Sequence, residues 1–159
     1  MKDKTYFLEQ VFLHQAIIHK ICRMYRDTKE DREDLFQEIT YQLWKSFDRF
    51  EARSKFSTWM YRIGLNTAMA AFRKPSLEHS RLDEHLELPD TVSPDNEQEN
   101  NEILFSVIRQ LNEADRALLS LYFEELSYAE IGEILGISES NVGARLTRMK
   151  EKIRKLVNV

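Results

Sequence analysis

The stretch that most constrains the fold of this chain is residues 127–156, which predicts two helices joined by a tight turn. Ser127 and Glu130 have the spacing of a capping box, in which each side chain satisfies a free amide at a helix start. Gly136 can adopt the left-handed conformation that ends a helix, and Ser138 is placed to cap the next one. Apolar residues then form one continuous seam on the second helix: Val142, Leu146, Met149, Ile153 and Leu156. The stretch therefore predicts a helix-turn-helix unit.

The second helix of this unit carries many bases, and we expect them on the face opposite the apolar seam. Only Glu139 and Glu151 oppose them in charge; the bases are Arg145, Arg148, Lys150, Lys152, Arg154 and Lys155. Small side chains from Ser140 to Ala144 would let the helix enter a major groove with its first turns against base edges. An ordinary helix pair with a solvated basic face would explain the charges alone. The capping box, the glycine and the small residues together favour DNA binding.

Charge is distributed unevenly along the 159 residues, although the net charge is only −4. Residues 1–74 contain 14 Lys or Arg and 10 Asp or Glu, whereas residues 75–101 contain one Arg, eight acids and all three prolines. This predicts an acidic, flexible linker at 75–101 between two small domains, 1–74 and 102–159. Four glycines argue against a chain of many β-turns, so we expect an all-α fold. Because no apolar run could span a bilayer and no signal peptide is evident, we expect a cytoplasmic protein.

The N-terminal part predicts three helices, at residues 5–26, 31–50 and 56–74. In the second helix, Leu35, Ile39, Leu43 and Phe47 form a core stripe, while Phe36, Tyr41 and Trp44 add apolar surface beyond what one stripe needs. Acids crowd its first half, where they favour the positive end of a helix. These residues are either core with solvated acids or a docking face with aromatic anchors. The composition of the helix is consistent with both interpretations.

The third helix and the loop before it interleave aromatic and basic residues. Between Lys45 and Lys74 there are seven bases and two acids, and Phe56, Trp59 and Tyr61 lie among Arg53, Lys55 and Arg62. Aromatic rings beside cations suit a single nucleic-acid strand, because each stacked base contributes about 1–3 kcal/mol. Each ring could equally be core. Met60, Ile63 and Thr67 predict the packed side of the helix, which would leave Tyr61 and Asn66 outside it.

The sequence contains no catalytic constellation. It has no Gly-rich phosphate loop, no nucleophile elbow and no His-Glu metal helix. Cys22 is the only cysteine, and His14 and His19 lack further ligands at suitable spacing. We therefore expect a protein that is not an enzyme, with no metal, no cofactor and no small-molecule substrate.

Four segments carry a resemblance to a known family: residues 34–38 (DLFQE), 55–66 (KFSTWMYRIGLN), 126–132 (LSYAEIG) and 142–150. Together they make the chain resemble a bacterial sigma factor of RNA polymerase. It is most similar to the extracytoplasmic-function class, which keeps only the modules called regions two and four. The resemblance covers nearly the whole chain outside the linker.

The resemblance implies that residues 1–74 dock on core polymerase and open the minus-ten element of the promoter. Docking on the clamp helices of the largest subunit would use Asp34, Leu35, Gln37, Glu38, Tyr41 and Trp44. Capture of the minus-ten strand would use Arg53, Lys55, Trp59, Tyr61, Arg62, Asn66, Arg73 and Lys74. Residues 102–159 would lie at the beta flap and bind the minus-thirty-five element. The residues for that element would be Ser138, Ser140, Asn141, Gly143, Ala144, Arg145, Arg148 and Lys150.

The resemblance also implies a protein antagonist, an anti-sigma factor, whether or not it is membrane-anchored.

Two positions depart from the family pattern. The sequence Phe50-Glu51-Ala52 stands where Phe-Arg-Gly is usual, and Gly143 stands where a larger polar residue is common. Two other functions remain open on sequence alone: a free-standing helix-turn-helix regulator, and an adaptor that binds polymerase without recognising promoters.

Overall fold

The computed structural model describes residues 3–73 and 97–157. All regular structure in these two ranges is helical, which confirms the all-α fold class. The helices are α1 (Lys4–Leu13), α2 (Gln15–Tyr25), α3 (Lys29–Ser46), α4 (Phe56–Arg73), α5 (Glu97–Arg109), α6 (Glu113–Phe123), α7 (Tyr128–Leu135) and α8 (Glu139–Val157), with a 3-10 turn at Phe47–Arg49. They fall into two compact units, which we describe separately. None of the described helices is both long enough and apolar enough to cross a membrane.

The first unit is built on α2, α3 and α4, which pack against one another. Ile21, Ile39 and Met60 are completely buried in its core. Gly64 lets α4 approach closely, because a Cβ atom at this position would lie 2.8 Å from Cδ1 of Ile21. Cys22 is also buried, and this burial raises the pKa of its thiol to about 12.

The N-terminal segment forms two helices where the sequence predicted one. The break is at His14, whose backbone leaves the helical conformation at φ −108° and ψ 17°. The only buried side chain of α1 is Phe7, which packs on Trp44 and Phe47 at centroid distances of 5.0 and 5.2 Å. No glycine or proline marks the break. Periodicity alone therefore cannot reveal the change in helix direction.

The packed face of α4 also differs from the prediction. Phe56, Met60, Tyr61, Leu65 and Ala68 are buried, whereas Ile63 and Thr67 are only half-buried. Tyr61 thus lies on the inner side of the helix and not outside it. The predicted stripe included Met60 but not Leu65, which lies on the same buried face. The predicted face was therefore rotated about the helix axis relative to the observed one.

The second unit contains α5, α6, α8 and residues 128–132 of α7, and the caps in this part of the chain form as the sequence predicted. Asn112 accepts a hydrogen bond from the amide of Asp115 at 2.8 Å. The capping box is present, with Ser127 and Glu130 exchanging bonds at 3.1 and 3.2 Å. Gly136 has φ +74°, and Ser138 accepts from the amide of Asn141 at 3.1 Å. These bonds fix the helix-turn-helix geometry.

The segment between the two units differs in part from its predicted bounds. Helix α5 begins at Glu97, so residues 97–101 are helical although they were assigned to the linker. Their polar residue types gave no apolar periodicity, whereas the later residues Ile103, Val107 and Ile108 are apolar and buried. The rest of the predicted linker, residues 75–96, lies outside the described residues, as does Lys74.

Candidate protein and nucleic-acid interfaces

Helix α3 places five of its six predicted docking residues on one outward face. Asp34, Gln37, Glu38 and Tyr41 are exposed at spacings of three and four residues, which a helix brings onto one side. Trp44 continues the row and is half-buried. The sixth, Leu35, is only 3% exposed, which confirms its place in the predicted core stripe and corrects the docking role that the resemblance implied.

An apolar groove of about 430 Å³ borders this face. The residues that line it come from α1 and α3: Lys4, Phe7, Leu8, Phe36, Gln37, Thr40, Tyr41 and Trp44. The contribution of α1 was missed from sequence. The sequence signal for this contribution is the surplus of apolar residues in α1, because Leu8 and Phe12 remain 53% and 74% exposed. The exposed aromatic surface of α3 is therefore one wall of a larger apolar site.

Helix α4 also has an outward face, which lies opposite its own buried stripe. Trp59, Arg62, Asn66 and Arg73 share it, because they are separated by three, four and seven residues. Trp59 is half-buried against Phe50 and Phe56, at centroid distances of 5.1 and 5.2 Å, and the other three are exposed. This face combines an aromatic surface, cations and one amide, the groups that a single strand requires.

Tyr61 does not belong to this face. It is 4% exposed and lies in the core of the first unit, so its assignment to a DNA surface is corrected. The sequence could not show this, because an aromatic residue beside Arg62 fits a stacking surface and a core equally well. Lys74, the last residue of the same predicted set, is outside the described residues.

The loop before α4 is exposed and contains both remaining bases of the set, Arg53 and Lys55. Nε of Arg53 lies 2.8 Å from Oε2 of Glu51, so the acid that departs from the family pattern pairs with a neighbouring base. Ala52 has φ +57°, a conformation that glycine adopts easily and that costs alanine roughly 1–2 kcal/mol. The loop thus keeps a backbone suited to glycine although it has lost the glycine itself.

The bases of α8 do not share one face, contrary to the sequence prediction. Nζ of Lys150 lies 4.6 Å from the centroid of the Tyr122 ring, and a hydrogen bond with the Tyr122 side chain raises the pKa of Lys150. Nζ of Lys152 is 3.2 Å from Asp115 on α6. Contacts of this kind join residues that are far apart in sequence, so helical periodicity could not have revealed them.

Two of the bases predicted to bind the minus-thirty-five element remain available for a partner. Among the described residues, neither Arg145 nor Arg148 has an acidic group within ion-pair distance, whereas Arg154 is 2.6 Å from Glu151. Arg145 is half-buried beside α6, and Arg148 is exposed. Both can therefore approach phosphate or guanine without breaking an existing ion pair.

The start of α8 presents the small predicted residues. Ser140 and Ala144 are exposed, and Asn141 is half-buried, while the hydroxyl of Ser138 is occupied as the helix cap. Gly143 is half-buried beside Tyr128, whose ring carbon Cε2 would lie 3.5 Å from a Cβ added there. Thr147 was missed from sequence, yet it is exposed on the same side as Ser140 and Ala144.

No candidate metal site is found in the part of the chain that the structure describes. No cluster of three or more His, Cys, Asp or Glu side chains occurs there. His14 stacks on Phe56 at 6.1 Å and His19 on Phe36 at 4.7 Å, so both histidines pack against aromatic rings.

Comparison with known proteins gives two family matches and several relatives. The family model described as Sigma-70 region 2 matches residues 12–77, and the one described as Sigma-70, region 4 matches residues 101–153. The ECF RNA polymerase sigma factor SigW of Bacillus subtilis is 29% identical, covering 96% of this chain and 89% of that protein. The RNA polymerase sigma-H factor of Pseudomonas aeruginosa is 33% identical, with coverages of 96% and 86%. The ECF RNA polymerase sigma-E factor of Haemophilus influenzae is 32% identical, with coverages of 79% and 74%.

Two solved structures have a similar fold at 19% sequence identity. One is CnrH in complex with the cytosolic domain of CnrY, with a TM-score of 0.70 over 98% of this chain and 90% of that chain. The other is the sigma factor RpoE of Bartonella quintana in complex with the anti-sigma factor NepR, with a TM-score of 0.71 over 96% and 97%.

Proposed function

Since the chain belongs to the extracytoplasmic-function class of RNA polymerase sigma factors and directs polymerase to promoters for transcription initiation, we propose how its two units divide this work. Residues 1–74 dock on core polymerase and capture the minus-ten strand. The part of the chain that begins with α5 at Glu97 binds the minus-thirty-five element, and residues 75–96 connect it to the first unit. Polymerase would fix the spacing of two weak DNA sites and so combine them into one strong site.

The observation that carries this proposal is the segregation of side chains on α4. One side of the helix is core, and the other presents Trp59, Arg62, Asn66 and Arg73. This second side suits an unpaired strand, because bases stack on aromatic rings while cations follow the phosphates. Melting would then draw on the capture of unstacked bases, without ATP hydrolysis. We further propose that the chain has no catalytic activity of its own and acts in the cytoplasm together with polymerase.

Docking is proposed to use the outward face of α3 and the apolar groove beside it. An aliphatic or aromatic side chain of polymerase would fill the groove, and Asp34 and Gln37 would supply the polar rim. The double substitution Asp34→Arg with Gln37→Ala should abolish co-purification with core polymerase, because it reverses a charge and removes an amide at the rim. Helix content should not change, since both side chains are exposed.

A matched control for this test lies on α1. Glu9→Arg with Gln10→Ala makes the same change of charge and the same replacement of glutamine by alanine, but on residues that do not line the groove. This variant should co-purify like the parent protein. Full binding by the α3 variant, or equal losses in both variants, would contradict the docking surface.

For the second unit, we propose that Arg145 and Arg148 contact the minus-thirty-five element. Replacing either with alanine should lose roughly 1–3 kcal/mol of binding at promoters that depend on this element. Arg154→Ala is the control, because Arg154 is held by Glu151 at 2.6 Å. Transcription by the Arg148→Ala variant equal to that of the control at every promoter would show that Arg148 is only a solvated charge.

A protein antagonist is the last element of the proposal. The groove exposes apolar surface that a partner must cover, and two proteins of the same fold are described in complexes with partner proteins, one of them an anti-sigma factor. We propose that such a partner binds this chain and excludes polymerase. Pull-downs from cells should recover it in a complex without polymerase. Repeated recovery of polymerase alone would count against it.

A further inference from the structure

The outward face of α8 offers carbon atoms to a partner, and its hydroxyl groups are already engaged. Ser140, Ala144 and Thr147 lie on this face at positions i, i+4 and i+7, and all three are exposed. Oγ of Ser140 is 3.3 Å from Oγ of Ser138. The hydroxyl of Thr147 donates to the carbonyl oxygen of Gly143 at 3.0 Å, within its own helix. The methyl groups of Ala144 and Thr147 are the apolar groups that this face presents to a partner.

The surroundings of these two methyl groups limit which chemistry can take part. Gly143 adds no side chain, and the ring of Tyr128 lies beside it. Glu151 follows on the same face one turn after Thr147, and its carboxylate is held by Arg154 at 2.6 Å, so this position offers phosphate no free cation. Arg148 adjoins the face and is exposed. Contact with a duplex is thus confined to the first turns of α8, where the face is apolar and has a cation at its edge.

The major groove of DNA contains one apolar group that such a surface can distinguish. Thymine has a methyl group at C5, and the side chains of alanine and threonine are known to contact it. Cytosine and the purines have no counterpart at that place. A face made of methyl groups therefore discriminates by the presence of thymine and not by hydrogen bonding.

We propose that Thr147 is a specificity-determining residue that selects thymine in the minus-thirty-five element through contact between its own methyl group and the C5 methyl group of the base, while Ala144 beside it keeps the face apolar. This inference rests on the proposed role of the second unit. It adds a residue to the predicted DNA-binding set and names the chemical group on DNA that the residue recognises.

The test uses the full-length chain bound to core polymerase and a promoter found by run-off transcription from genomic fragments. Thymines of its minus-thirty-five element are replaced by deoxyuridine, one strand at a time, which removes only the C5 methyl groups. The parent holoenzyme should bind one of the substituted duplexes about fourfold more weakly than the thymine duplex, as expected for the loss of one buried methyl group. Equal binding of the thymine and both deoxyuridine duplexes would overturn the inference.

Two substitutions of Thr147 separate the methyl group from the hydroxyl. Thr147→Ser removes the methyl group and keeps a hydroxyl that can bond to Gly143, so this variant should bind thymine and deoxyuridine duplexes alike. Thr147→Val keeps the methyl groups and loses the hydroxyl, so it should retain the fourfold difference. Loss of discrimination in the valine variant, or its retention in the serine variant, would assign the role to the hydroxyl or to another residue and would refute the proposal.

Failure of this inference is distinguishable from failure of the proposed function. A holoenzyme that transcribes the promoter but ignores the thymine methyl groups contradicts only the role of Thr147. A chain that gives core polymerase no promoter preference contradicts both. Because Thr147 is exposed, neither variant is expected to unfold, and thermal melting checks this directly.

Discussion

Replacing Asn66 with alanine should impair promoter opening without harming the fold. Asn66 is exposed on the outward face of α4, and within the described residues its amide has no hydrogen-bond partner. Truncation at such a position changes the free energy of unfolding by at most about 0.5 kcal/mol. If the amide instead bonds a base edge of the minus-ten strand, its loss costs roughly 1–3 kcal/mol. That loss corresponds to about a five- to 150-fold smaller equilibrium constant for opening.

The assay is permanganate reactivity of thymines at the minus-ten element in complexes with core polymerase. The Asn66→Ala holoenzyme should form a closed complex but show weaker reactivity than the parent. On a template already mismatched across this element, part of the deficit should remain, because base capture is lost as well as melting. Thr67→Ala is the matched control on the next residue, since the hydroxyl of Thr67 is bonded to the carbonyl oxygen of Ile63 at 2.7 Å.

Equal opening by the parent and Asn66→Ala proteins would refute the assignment of Asn66. The contrasting variant is Tyr61→Ala, which removes a core side chain that is 4% exposed. It should lower the free energy of unfolding by roughly 3–5 kcal/mol. Any loss of transcription in that variant should therefore follow from its loss of folded protein, as urea unfolding would show.

Three further predictions concern the structure that supports these surfaces. Arg116 is 4% exposed and donates to backbone carbonyls near the end of α5, so Arg116→Met should destabilise the second unit by roughly 2–4 kcal/mol in urea unfolding, with Arg154→Met unchanged. Equal stabilities would contradict the buried role of Arg116. Burial raises the pKa of Cys22 to about 12, so a thiol reagent at pH 8 should label it no faster than the first unit opens; rapid labelling would contradict its burial. Ala52→Gly should stabilise the chain by up to about 1 kcal/mol, because Ala52 has φ +57°, and a loss of stability would contradict this backbone conformation.

The helix caps and the turn at Gly136 were the part of the fold that the sequence predicted well. The capping box at Ser127, the left-handed Gly136 and the caps at Asn112 and Ser138 all form, because each depends on residues within a few positions. The break at His14 was missed. It reflects packing of Phe7 on Trp44 and Phe47, a contact between residues far apart in sequence.

The candidate surfaces were predicted less completely, for the same physical reason. Helical spacing places Asp34, Gln37 and Tyr41 on one face and Leu35 in the core, but the stripe chosen for α4 left the buried Tyr61 outside. Composition counted Lys150 among the free bases of α8. Only the tertiary structure brings Lys150 against the ring of Tyr122.

Run-off transcription from genomic fragments with core polymerase tests the central claim most directly. We expect specific transcripts only when the chain is added, and their start sites should share two sequence elements spaced as the minus-ten and minus-thirty-five elements are. The Asp34→Arg, Gln37→Ala variant should give none of these transcripts, whereas the Glu9→Arg, Gln10→Ala control should give all of them. Promoter-bound complexes that form without core polymerase and never yield a transcript would instead favour a free-standing helix-turn-helix regulator and contradict the account.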